Sequence, residues 1–171
     1  MRVYVPLTLS GLAEAHRAGE LGAGASGAIV AYAVTPALRE WCLSDDTEEL
    51  EYAALGRAAL ASLRLLAADP GAPRRRVVVA VDVPDGATGT DPGRASDPAA
   101  LGEVRVAGPV PLAKAASVHV DAGDADDDVA AAAGALAAAD AGDEGARLRV
   151  DGAEDHELLW YATQEIPHLV A

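Results

Sequence analysis

DTEELEYAALGRAALASLRLLAADPG, residues 46–71, followed six positions on by VVVAVDV, residues 77–83, decides the fold class of this chain. Asp46 is a residue type that caps helix N-termini, and Glu49 three positions later completes a capping box whose acidic first turn suits the helix dipole. Leu55, Ala59, Leu63 and Leu66 fall on one stripe while Glu51 and Arg64 lie off it, so the spacing predicts a helix over Thr47–Ala68. Asp69, Pro70 and Gly71 end it, because proline cannot donate to the helix and glycine favours the turn. The β-branched run 77–83 then reads as a buried strand. A long helix running into such a strand makes both kinds of element part of one core.

Upstream, residues 2–7 alternate and read as a strand. Ser10 fits a helix N-cap, with a helix from Leu12 to about Leu21 ended by Gly22 and Gly24 and a small-residue loop to Gly27. Residues 29–35 read as a central strand, and Pro36 opens a short helix to Trp41. Downstream, residues 85–98 are rich in Gly, Pro, Asp and Thr and read as a solvated, flexible loop. Strands are expected at 103–107, 117–121 and 158–163, with a minor one at 147–150. A helical turn is expected at 111–116, an Ala-rich helix at 129–139, and a terminal turn at 165–170. The pattern predicts one domain, residues 1–171, of the α+β or mixed α/β class: a helix-on-sheet sandwich, ferredoxin-like or a related split βαβ arrangement.

Composition narrows the function classes. A chain of 171 residues supports a single core, and 51% hydrophobic residues exclude a disordered tail. Twenty-seven acidic against 13 basic residues give a net charge of −14, which argues against nucleic-acid binding. No apolar run reaches the roughly 18 residues that cross a bilayer, so no membrane association is expected. Cys42 is the only cysteine, which excludes an internal disulfide and a cysteine metal cluster. The chain starts straight into strand-like sequence without a leader pattern, so a cytoplasmic location is expected.

His119 and Asp121, two apart on a strand, share a face and present an imidazole beside a carboxylate, the parts of an acid–base site. The bland alternative is an edge histidine and a strand-ending aspartate. Asp124, Asp126 and Asp128 alternate in an oxygen-rich stretch of the kind that attracts Ca²⁺ or Mg²⁺. The EF-hand pattern fails there, since Val129 occupies the glycine position and Ala135 the bidentate glutamate position, and helix capping explains the acids equally well. Arg74, Arg75 and Arg76 read as solvent-facing strand arginines. At least one of Trp41 and Trp160 is expected in the core, with Trp160 and Tyr161 the candidate interaction residues.

Met1 to Leu7, Tyr32 to Trp41, Asp45 to Tyr52 and Leu158 to Tyr161 together resemble an actinobacterial family of small proteins of unknown function. The resemblance spans nearly the whole chain. It implies a free-standing cytoplasmic protein and carries over no catalytic or binding residues.

The expectation is therefore a non-catalytic cytoplasmic binding protein with an acidic surface, acting on a protein partner or on itself and using no cofactor. A small enzyme built on His119 and Asp121, its pocket closed by residues 85–98, is the alternative. A divalent-cation site along Asp121–Asp128 is the weaker one.

Overall fold

The Asp46 carboxylate accepts the backbone N–H groups of Glu48 and Glu49 and starts the longest helix of the protein where its sequence requires it. The capping box is completed differently from the expected form. Ser44 Oγ accepts the Asp46 N–H and donates to Glu49, so a hydroxyl stands between the two halves. A computed structural model describes residues 1–23 and 27–171. Its elements are β1 (Arg2–Leu7), α1 (Leu9–Ala18), β2 (Glu20–Leu21), β3 (Ile29–Tyr32), α2 (Pro36–Cys42), α3 (Thr47–Ala68) and β4 (Val77–Asp82). There follow β5 (Thr88–Gly89), β6 (Glu103–Val106), β7 (Val110–Pro111), β8 (Ala115–Val120), α4 (Asp126–Asp140), α5 (Glu144–Glu154), β9 (Leu159–Tyr161) and α6 (Ile166–Leu169).

Seven strands form one sheet in the order β5-β6-β3-β1-β4-β8-β9, and every neighbouring pair is antiparallel. The class is α+β. Because β3 and β4 both run antiparallel to the β1 that separates them, they are parallel to each other. The stretch β3-α2-α3-β4 is thus a split βαβ unit. The second such unit that a ferredoxin-like sheet needs is not formed, since β8 and β9 on either side of α4 and α5 pair directly.

Both faces of the central strands are covered, which is why 77–83 shows no polar alternation. Val77, Val79 and Val81 join Val3, Val5, Val118 and Val120 beneath α1 and α6. Val78 and Ala80 join Tyr4 and Tyr32 beneath α2 and α3, where Ala54 and Ala58, one turn apart, let α3 lie close to the sheet. Leu63 and Leu66, past the sheet contact, pack instead on α4 and α5. Ser62 sits between these two contacts. Its hydroxyl donates to Leu7 O at 2.7 Å and accepts from Val77 N at 3.0 Å, stitching α3 to the ends of β1 and β4.

Several local expectations shift. The cap of α1 is Thr8 rather than Ser10, and the helix ends at Gly19 (φ 75°), with Leu21 in a strand. Glycine is the natural residue in that left-handed cap; the expected Gly24 terminator lies outside the described residues. Residues 147–150 are helical, because Asp143 caps the Ala146 N–H and Ala146, Val150 and Ala153 bury one face against α4. The segment 85–98 holds two 3-10 turns and the edge strand β5.

Ser62→Ala leaves the Val77 N–H buried without a partner, so it costs about 2 kcal/mol. Urea denaturation of the two proteins gives a lower midpoint for the variant with an unchanged slope.

Candidate functional site

The two residues proposed as an acid–base pair are drawn apart by their partners. Asp121 is 1% exposed and takes both oxygens to Arg76, itself 3% exposed. Arg76 Nε donates to Asp121 Oδ2 and Nη2 to Oδ1, each at 2.8 Å, and the Arg76 backbone N–H donates to Oδ2 at 2.8 Å. The remaining direction of Nη2 goes to His156 O at 3.0 Å. A buried carboxylate locked in a bidentate ion pair has no free lone pair aimed at a substrate. Of the arginine run only Arg76 is interior; Arg75, still partly exposed, pairs with Asp126 at 3.2 Å, and the half-buried Arg74 donates to the Leu66, Asp69 and Ala72 carbonyls where α3 ends.

His119 meets Ser117 instead, with Nε2 2.9 Å from Oγ. Burial pushes the His119 pKa below its ordinary value, and the nearby Arg2 adds to the effect. The lowered value favours the neutral ring, and its tautomer sets which of the two groups donates in the Ser117 contact. The serine is a partner that spacing alone did not single out from the other hydroxyls. Ser117 is buried on the sheet, and neither residue lines the large groove described below.

The aspartates 124, 126 and 128 do not converge. Among the described residues no group of three His, Cys, Asp or Glu side chains is placed to hold a metal. Asp126, Asp127 and Asp128 form the first turn of α4, whose cap position is Ala125, so they serve the helix dipole and not a side-chain cap. Asp128 reaches His156 Nε2 at 2.7 Å, and that hydrogen bond raises the His156 pKa.

A ligand-sized concavity lies elsewhere. A groove of about 600 Å³ runs between α2, the start of β6 and residues 90–102, with Pro36, Trp41, Pro92, Pro98 and Leu101 among its walls. Residues 90–98 line this groove, whereas the enzyme alternative placed its pocket at His119 and Asp121. His119 is not in the groove: β6 and β8 stand four places apart in the sheet, roughly 19 Å.

Two arginines brace this wall. Arg57 on α3 donates to the carbonyls of Pro98, Ala99 and Leu101 at 2.9–3.3 Å. Arg94 lies 3.3 Å from Asp97 and 3.1 Å from Glu103, whose buried carboxylate also meets Arg105 at 3.1 Å. Gly102 turns the chain at φ 79° under the groove, where a Cβ would press on Ala33 O at 3.3 Å.

Neither tryptophan is in the core, whose large aromatic residues are Tyr4 and Tyr32. Trp41 is 68% exposed at the groove and Trp160 62% exposed on β9, while Tyr161 is half-buried against the sheet. Leu43 closes α2 in the left-handed conformation at φ 52° with its side chain 91% exposed. A non-glycine residue there costs roughly 1 kcal/mol of backbone strain, and the exposed side chain returns no burial.

Two predictions test this description. Asp121→Ala strands the Arg76 guanidinium in the interior and destabilises the protein by about 3–5 kcal/mol, read as a lowered midpoint in urea. The two histidines titrate on opposite sides of about 6.5 by NMR. The lowered His119 value gives stability present above about pH 6.5 and lost as pH falls through it; the raised His156 value gives stability present below about 6.5 and lost as pH rises through it. Asp128→Asn moves the His156 midpoint down and leaves His119 in place.

No helix among the described residues is long and apolar enough to cross a membrane. No curated protein and no solved structure matches the chain. Residues 1–170 match the family model of DUF6912, a family of unknown function, and the chain belongs to that family.

Proposed function

We propose that this protein is a non-catalytic binding protein whose recognition surface is the groove at Trp41. One observation carries the reading. The groove is of ligand size, is walled by prolines and an exposed tryptophan, and has both of its arginines already committed to acceptors of the protein itself. No histidine, cysteine or lysine is among the residues lining the groove, and Asp91 and Asp97 each accept a backbone N–H, from Gly93 and Ala99, so the site is suited to holding and not to transforming. Tryptophan is the side chain most often found at the energetic centre of an interface. Trp160 on the β9 edge is a second exposed aromatic, and the sequence-derived choice of Trp160 and Tyr161 as the interaction pair gives way here to Trp41.

The enzyme reading keeps one specific observation in its favour, the 2.9 Å contact between Ser117 Oγ and His119 Nε2. In the tautomer with Nε2 unprotonated the imidazole accepts the serine proton, which is the first half of nucleophile activation. It has against it a buried serine and an Asp121 committed to Arg76 in place of orienting the imidazole.

Placing a photo-crosslinking amino acid at position 41 and, separately, at the remote position 144 in cells discriminates the readings. Discrete adducts from 41 and none from 144 are expected. A fluorophosphonate probe leaves the wild-type protein unlabelled; labelling that disappears in Ser117→Ala installs the enzyme instead.

A further inference from the structure

We infer that the occupant of the Trp41 groove is a basic segment of a partner protein, with apolar side chains seated against Trp41 and Leu43 and lysine or arginine held by the carboxylates around them. This rests on the binding reading above and names the partner's chemistry. The apolar half of the argument is Leu43. A leucine held in a left-handed cap, almost wholly in water and two positions beyond Trp41, is a projecting apolar contact that the fold does not use.

The polar half is charge. Glu40, Asp45, Asp46, Glu48 and Glu49 are all exposed around that projection, against the single Arg39, which lies 3.6 Å from Asp45. Asp91 and Asp97 line the opposite wall. Arg57 and Arg94 share that wall, Arg57 keeping its positive charge while it donates to backbone carbonyls and Arg94 pairing with Asp97 and Glu103, so the excess of carboxylate lies with Glu40, Asp45, Asp46, Glu48 and Glu49 on the Trp41 side. An anionic occupant would therefore meet five exposed carboxylates on the Trp41 side against the single Arg39. Nucleic acid and anionic lipid are disfavoured on the same ground. So is a second copy, because each chain brings a net charge of −14 to the contact. A cationic segment with apolar anchors satisfies both halves, gaining burial at Trp41 and steering from the rim.

The test uses the full chain carrying Trp160→Phe, which leaves Trp41 as the only tryptophan and its emission as the reporter. Three synthetic 12-residue peptides share the same leucine anchors and differ only in carrying Lys, Gln or Glu at the remaining positions. The Lys peptide shifts the Trp41 emission to the blue and binds at least about tenfold tighter than the Gln peptide at low salt, an advantage that shrinks at about 0.5 M salt. Leu43→Ser weakens all binding, and Asp45→Asn with Glu48→Gln weakens that of the Lys peptide alone. Equal binding of the Lys and Gln peptides overturns the charge inference and leaves the groove reading in place. Binding by none of them, together with no adducts from position 41, overturns both. Sedimentation showing a dimer that Leu43→Ser dissociates makes a second copy the occupant and overturns the inference.

Discussion

The Arg76–Asp121 ion pair is the constraint on which the rest of this structure depends. It closes the start of β4 onto the residue that follows β8, and through His156 O it fixes the approach to β9. Two ions removed from water are stabilising only while each is fully matched, and here every contact is short and the backbone N–H of Arg76 takes part. One interaction thereby ties together β4, β8 and the approach to β9 and engages both oxygens of Asp121. His119, left without that carboxylate, turns to Ser117.

The same use of arginine recurs across the molecule. Arg2 pairs with Asp82, Arg64 with Asp140, Arg75 with Asp126, while Arg57 and Arg74 tie down carbonyls at the ends of segments. Arginine suits this role because its planar fork makes several directed bonds at once. The consequence for recognition is indirect. Most arginines are engaged in holding the architecture, and the exposed acids of residues 40–49 beside Trp41 have only Arg39 among them.

The long α3 helix connects the two ends of this design. Its middle lies on the sheet through alanines, its last turns reach α4 and α5 through Leu63 and Leu66, and its Arg57 holds the wall of the groove. The groove is therefore built on the side of the sheet remote from β8. The pocket expected at residues 85–98 and the histidine expected to work in it occupy different parts of the protein.

Strong local signals were readable in the sequence. Asp46, the apolar stripe and the Asp69-Pro70-Gly71 stop determined α3 to the residue, and uninterrupted valines determined a strand covered on both faces, because caps, breakers and periodicity act over a few neighbouring residues. Weak local signals were settled elsewhere. Residues 147–150 are helical because α4 offers Ala146 and Val150 a surface, and Asp121 is buried because Arg76, 45 positions earlier, arrives to neutralise it. That both tryptophans stay in water, and which walls meet beside Trp41, followed from strand order, a property of contacts between distant segments that no window of sequence contains.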